Sequence, residues 1–161
     1  MKPIAERDIR ASFVNCTKGE AKRLAVPRDL DARPWDDLDF LGWQDLASPG
    51  RAYLVADQGD RLVGVALRRA TSNAGHVRRS MCSLCLTTHT GDGVSLMTAR
   101  RAAGSGNSVG VYVCTDLACS LYLRGKKDVG PGGRMPESLT LEEKISRTVA
   151  NVRDFLQKVT A

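Results

Sequence analysis

Met81-Cys82-Ser83-Leu84-Cys85-Leu86 and, further on, Val113-Cys114-Thr115-Asp116-Leu117-Ala118-Cys119-Ser120-Leu121-Tyr122 carry four of the five cysteines of this 161-residue chain. The spacing is Cys82-x2-Cys85, 28 intervening residues, then Cys114-x4-Cys119. A tetrahedral zinc ion takes four ligands, with sulfur at about 2.3 Å, and a C-x2-C turn presents two thiolates on one side with backbone amides directed at them. For the other half, Val109 to Val113 reads as a strand delivering Cys114. Thr115 or Asp116 then caps a helix that carries Cys119 in its first turn, where the helix amino terminus favours a thiolate.

Two other uses share this spacing. The cysteines could be buried free thiols in a small core. Alternatively, C-x2-C could be a redox pair, but such a motif normally opens a helix after a strand, whereas Cys85 leads into Thr87-Thr88-His89-Thr90-Gly91-Asp92-Gly93, which has the composition of a turn. Structural zinc is the favoured use. The order of knuckle, β-hairpin and helix start is that of a treble-clef finger. His76 and His89 are the only histidines; with four cysteines in tetrahedral order they are expected at the surface or behind the ligands. Cys16 is expected to pack. A closed four-cysteine site carries −2, lowering the formal charge from +6 to about +4. It also leaves no position for an activated water, which argues against a metal hydrolase.

Before the finger, Ile9, Phe13 and Cys16 fall at helical spacing and predict one short amphipathic helix, with Cys16 on its buried face. Thr17-Lys18-Gly19-Glu20 is a capping box for a second helix to about Leu24, ended by Pro27. Trp35 to Trp43 reads as a loop whose rings lie against the protein body. Arg51 to Ala56 and Arg61 to Leu67 form a hairpin around Asp57-Gln58-Gly59-Asp60. Val94 to Arg100 is a further strand, paired with the one ending at Val113. After the breaker-rich Gly130 to Pro136, the capping box Thr140-Leu141-Glu142-Glu143 opens a long helix with the apolar stripe Leu141, Ile145, Val149, Val152, Phe155 or Leu156, and Val159. The fold class is α+β: antiparallel hairpins with a treble-clef zinc finger, short amino-terminal helices and a long carboxyl-terminal amphipathic helix. One zinc-binding domain spans 1–161, with helices and loop over 1–48, hairpins and finger over 51–129, and the final helix over 140–159.

Hydrophobic residues at 42% and charged residues at 26% are sufficient for a globular core. No stretch approaches the roughly 18 apolar residues of a membrane span. Met1 to Asp8 is charged where a signal peptide is apolar. The protein is therefore expected to be cytoplasmic, where thiols stay reduced. Its pI of about 9.3 points to acidic partners such as RNA, ribosomes or an acidic protein face. No phosphate-cradling loop and no nucleophile-base pair is present, so no enzymatic activity is expected.

The blocks Arg79 to Cys85 and Asn107 to Lys127 resemble the treble-clef domain of the elongation factor G-binding family, which is related to the fusidic-acid-resistance proteins. The likeness is most specific from Val109 to Lys127. It implies Zn²⁺ held by Cys82, Cys85, Cys114 and Cys119, non-enzymatic binding of elongation factor G, and help in releasing that factor from the ribosome, with fusidic acid resistance as the outcome in some members. Those members are longer and carry a helical bundle before the zinc domain, whereas here only short helices precede the hairpin. Arg78, Arg79, Arg124, Lys126 and Lys127 flank the zinc segments and are the candidate partner-binding residues. The alternative is a zinc finger that binds ribosomal RNA or another nucleic acid. Nothing in the sequence demands more than a monomer.

Overall fold

The computed structural model describes residues 1–71, 79–104, 106–131, 133 and 135–161. Local sequence starts two of the helices as expected. Thr17 caps α2 (Lys18–Arg23): its hydroxyl accepts from the Glu20 amide at 3.2 Å, and the Glu20 carboxylate accepts from the Thr17 amide at 2.7 Å. Thr140 and Glu143 repeat the arrangement at 3.3 and 2.7 Å at the head of α4 (Leu141–Thr160). Each box satisfies two amides that have no partner inside the helix.

Among the described residues, seven strands follow one another as β1 (Leu41–Gln44), β2 (Arg51–Asp57), β3 (Leu62–Arg69), β4 (Arg79–Met81), β5 (Thr88–Thr90), β6 (Val94–Arg100) and β7 (Ser108–Cys114). Five of them make an antiparallel sheet in the order β1-β2-β3-β6-β7, and β4 and β5 pair with each other in a separate two-stranded sheet. The predicted hairpin is β2–β3, in register from Arg51 opposite Arg68 to Asp57 opposite Leu62. Every residue of β2 between its exposed ends is buried, because both faces of the sheet are covered. Ala52, Leu54 and Ala56 join a core with the cysteines and with Val152, Leu156 and Val159 of α4. Tyr53 and Val55 join a second core with Ile9, Ala21, Trp35 and Trp43. Both tryptophans are therefore core residues, as predicted.

Three elements differ from the sequence expectation. First, α1 spans only Glu6–Ser12, and Phe13 continues in extended conformation. The chain leaves the helix to cover β3, which meets β6 only at Arg68 and Arg69. Val14 donates to the Gly64 carbonyl at 3.0 Å, and the Asn15 side-chain amide exchanges two bonds of 2.8 and 2.9 Å with the backbone of Ala66. These bonds close an edge that would otherwise be free to pair with another chain. A Cβ at Gly64 would collide with the Ser12 hydroxyl and come against the Phe13 ring. Cys16, beyond the helix, is half-buried against the second core.

Second, the Trp35 to Trp43 stretch is not all loop. A 3-10 turn over Trp35–Asp37 precedes β1, which pairs from Leu41 opposite Val55 to Gln44 opposite Ala52. Four residues that include a glycine carry too little alternation to stand out in sequence. Third, the turn expected over Thr87 to Gly93 contains β5, with Ser80 opposite His89. The long helix is found where expected, but its apolar stripe is fully buried only from Val152 onward; Ile145 and Val149 are half-buried and Leu141 is exposed. Among the described residues no helix is long and apolar enough to cross a membrane.

Candidate metal centre

β4 and β5 form the two arms of the first knuckle. The Cys82 amide donates to the Thr87 carbonyl and the Cys82 carbonyl accepts from the Leu86 amide, both at 2.9 Å, with Leu86 at φ 57°. Inside that turn the amides of Leu84 and Cys85 point at the Cys82 sulfur, at 3.4 and 3.5 Å. Asn151 of α4 donates to the Leu84 carbonyl at 2.9 Å and holds the knuckle against the main core.

The second pair sits at the strand-to-helix junction. β7 ends on Cys114. Leu117, at φ 58°, donates back to the Cys114 carbonyl at 2.8 Å, and Cys119 opens α3 (Cys119–Leu123). The predicted cap by Thr115 or Asp116 does not form: Ala118 precedes the helix without a side-chain cap, and Asp116 instead accepts from the Ala118 amide at 3.0 Å within the preceding turn. Gly42 of β1 lies directly on this turn. A Cβ there would stand 2.5 Å from the Leu117 Cβ.

Together these turns place the Cys82 and Cys119 sulfurs 3.7 Å apart and the Cys85 and Cys114 sulfurs 3.6 Å apart, with all four within 4.8 Å of one another. All four residues are buried. A tetrahedron with zinc-sulfur bonds of about 2.3 Å has edges of about 3.8 Å, so the set fits a zinc ion with little rearrangement. Hydrogen bonds from Cys114, Cys119 and Cys85 hold the Cys82 thiol below the ordinary thiol range. Cys119 is pushed up by its bonds to Cys114, Cys82 and Cys85 and by burial.

A further layer supports the sulfurs. The Thr87 hydroxyl lies 2.9 Å from the Cys85 sulfur. His89 Nε2 lies 3.3 Å from the Cys114 sulfur and 3.2 Å from Thr87. His89 is buried behind the ligand set, as predicted for a histidine not needed as a ligand, and burial lowers its pKa. Its ring meets Tyr122 edge-on at 4.6 Å, and Tyr122 donates to Asp116 at 2.7 Å. Such partners orient metal ligands and keep water out. The pairing of Tyr122 with Asp116 is not legible in sequence, since it depends on how α3 turns back over Cys114.

The basic candidates are placed unequally. Arg124 makes a two-pronged ion pair with Asp39, at 2.7 and 2.8 Å, with only 12% of its side chain exposed. Lys126 pairs with Asp37 and Lys127 with Asp116, each at 2.6 Å, and both keep about half of their side chain in solvent. Lys127 also lies over the Tyr122 ring at 5.5 Å. Arg79 is exposed on β4. Arg78 and His76 lie outside the described residues.

Over residues 8–159 the chain matches the family described as FBP C-terminal treble-clef zinc-finger. Among solved structures it is similar to the fusidic acid resistance protein FusC, at 17% identity and a TM-score of 0.52, over 88% of this chain and 53% of that one. At that identity the likeness concerns the fold, and the chain spans about half the length of that protein. No curated protein matches the chain. The four-cysteine geometry and the family match agree on Zn²⁺ as the metal.

Proposed function

Because the chain belongs to the FBP C-terminal treble-clef zinc-finger family, we propose that it is a single zinc-stabilised domain that binds translation elongation factor G and does no chemistry of its own. In this role Cys82, Cys85, Cys114 and Cys119 hold one Zn²⁺. Four thiolates complete its coordination, so the ion contributes folding energy rather than a reactive water. In this reading binding helps to release the factor from the ribosome, in the cytoplasm; the fold shared with a fusidic acid resistance protein is in keeping with it.

The observation that carries the docking assignment is the ordered, half-exposed pair Lys126 and Lys127 beside the ligand helix. Each is fixed by a carboxylate while still presenting charge to solvent. Arg79 on β4 is a further exposed basic residue of the finger available to an acidic partner. Arg124 is held by Asp39 and is not itself a free charge. A ribosomal RNA reading has one observation in its favour, the exposed ring of Tyr112 on the sheet-edge strand β7. Tyr122, the other aromatic near the basic block, is buried.

A pull-down of purified elongation factor G on the zinc-loaded chain tests the proposal. The expected result is retention of the factor that weakens in a Lys126→Glu/Lys127→Glu variant. Retention of ribosomal RNA without the factor, lost steeply as salt rises, would favour the RNA reading.

A further inference from the structure

On the sheet face that carries the second core, opposite the four zinc-site cysteines, arginines from four elements converge on one hollow. Arg51 of β2 and Arg68 of β3 are directly opposed in register. Thr98 of β6 is opposed to Arg68, and Arg100 lies two residues further along the same face. Arg23, the last residue of α2, faces them across a cavity of about 410 Å³. A second hollow of about 260 Å³ shares Glu20 and Arg100 with the first and adds Arg101.

All five arginines are exposed, and among the described residues none forms an ion pair. The two carboxylates in the same wall are held by local hydrogen bonds, and Glu20 also lies within electrostatic reach of Arg100 and Arg51 without forming an ion pair with either. Glu20 closes the capping box of α2, while Asp45 accepts from the amides of Ala47 and Ser48 and from the Tyr53 hydroxyl. Directly opposed residues on antiparallel strands have Cβ atoms about 5 Å apart, and like charges there are destabilising. Two carboxylates facing a row of guanidinium groups, none of them in an ion pair, leave an excess of positive charge around the hollow that a bridging anion would offset. The planar guanidinium fork matches phosphate oxygens two at a time. The volume lies in the range of small-ligand sites. Tyr53, the one aromatic ring in the wall, is only 4% exposed and offers no platform for a base.

We propose that this cleft binds a small ligand carrying two or more linked phosphates, recognised by charge and fork geometry rather than by a base, with Arg51 and Arg68 as its central contacts. The site is separate from the zinc centre and does not depend on how the finger is used.

Calorimetric titration of the zinc-loaded full chain with inorganic pyrophosphate is the test. Arg51→Ala/Arg68→Ala should weaken binding at least tenfold, while Arg7→Ala, an exposed arginine on α1, should leave it unchanged. Removing opposed like charges should not lower the melting temperature. If it does, Arg51→Lys/Arg68→Lys, which retains charge but loses the fork, should still weaken binding several-fold in a folded protein. Tripolyphosphate and a nucleoside triphosphate should bind alike. The proposal is overturned if pyrophosphate gives no binding at millimolar concentration, if neither double variant binds more weakly, or if single-stranded RNA binds through these arginines and pyrophosphate does not.

Discussion

Arg124 grips Asp39 with both arms of its guanidinium, across 85 residues of sequence, and the pair is almost wholly buried. Their contact ties the helix that follows the fourth cysteine to the segment leading into β1. Hydrogen bonding to Asp39 raises the Arg124 pKa, so the guanidinium stays charged.

Arg124→Ala should therefore leave Asp39 buried without its counter-ion and destabilise the protein by about 3 kcal/mol, a fall in melting temperature on the order of 10 °C for a chain of this size. Adding Asp39→Ala should recover part of that loss, since the two residues act as a unit. Thermal melting of both single variants and the double variant measures the coupling, and strict additivity would contradict it.

Elemental analysis should find one zinc per chain in reduced, freshly purified protein. Cys114→Ser should lose the metal and unfold the finger, because metal binding and folding are the same event at such a site. Acid should have a similar effect on the intact protein. The ligands bind as thiolates, so zinc is retained at neutral pH and released as the pH falls and protons compete for sulfur. A chromogenic chelator followed during an acid titration would record the release.

Gly42→Ala should cost about 2 kcal/mol, the usual size of an overpacking penalty, because the new methyl meets Leu117 Cβ at 2.5 Å and the Leu117 carbonyl at 3.1 Å. The strain falls on the turn between Cys114 and Cys119. Faster zinc loss to a chelator should therefore accompany the lower melting temperature.

Tyr53 should ionise late. Burial, together with its 3.0 Å hydrogen bond to Asp45, pushes the phenol up to about 12, against an ordinary value of about 10. Because the folded value is the higher one, the stabilisation is complete below about pH 10 and is lost as pH rises through about 12. Ultraviolet difference titration against Tyr53→Phe should show one late-titrating phenol missing from the variant.

Features whose cause lies within a few residues were legible in the chain itself. Both capping boxes form as expected because Thr17 with Glu20, and Thr140 with Glu143, meet inside a single helical turn. The β2–β3 hairpin is similarly local, turning at Gly59, where φ is 92°. The cysteine pairs also announce themselves, since each is short enough to form a turn of its own. β1 and β5 were not legible. Each is a few residues long and becomes a strand only because a partner is already present, Arg51–Asp57 for the first and Arg79–Met81 for the second.

By itself, then, the sequence determined two thiolate turns, a basic chain, a hairpin and a long amphipathic helix, because periodicity, capping and turn chemistry act over single turns and neighbouring residues. Tertiary structure decided which of the flanking charges remained available. It buried Arg124 against Asp39, fixed Lys126 and Lys127 beside the ligand helix, and aligned Arg51 with Arg68 on neighbouring strands. The physical reason is that a charge's role depends on what lies within a few ångströms of it, and those neighbours come from strands and turns brought together only by strand register and by burial on both faces of the sheet.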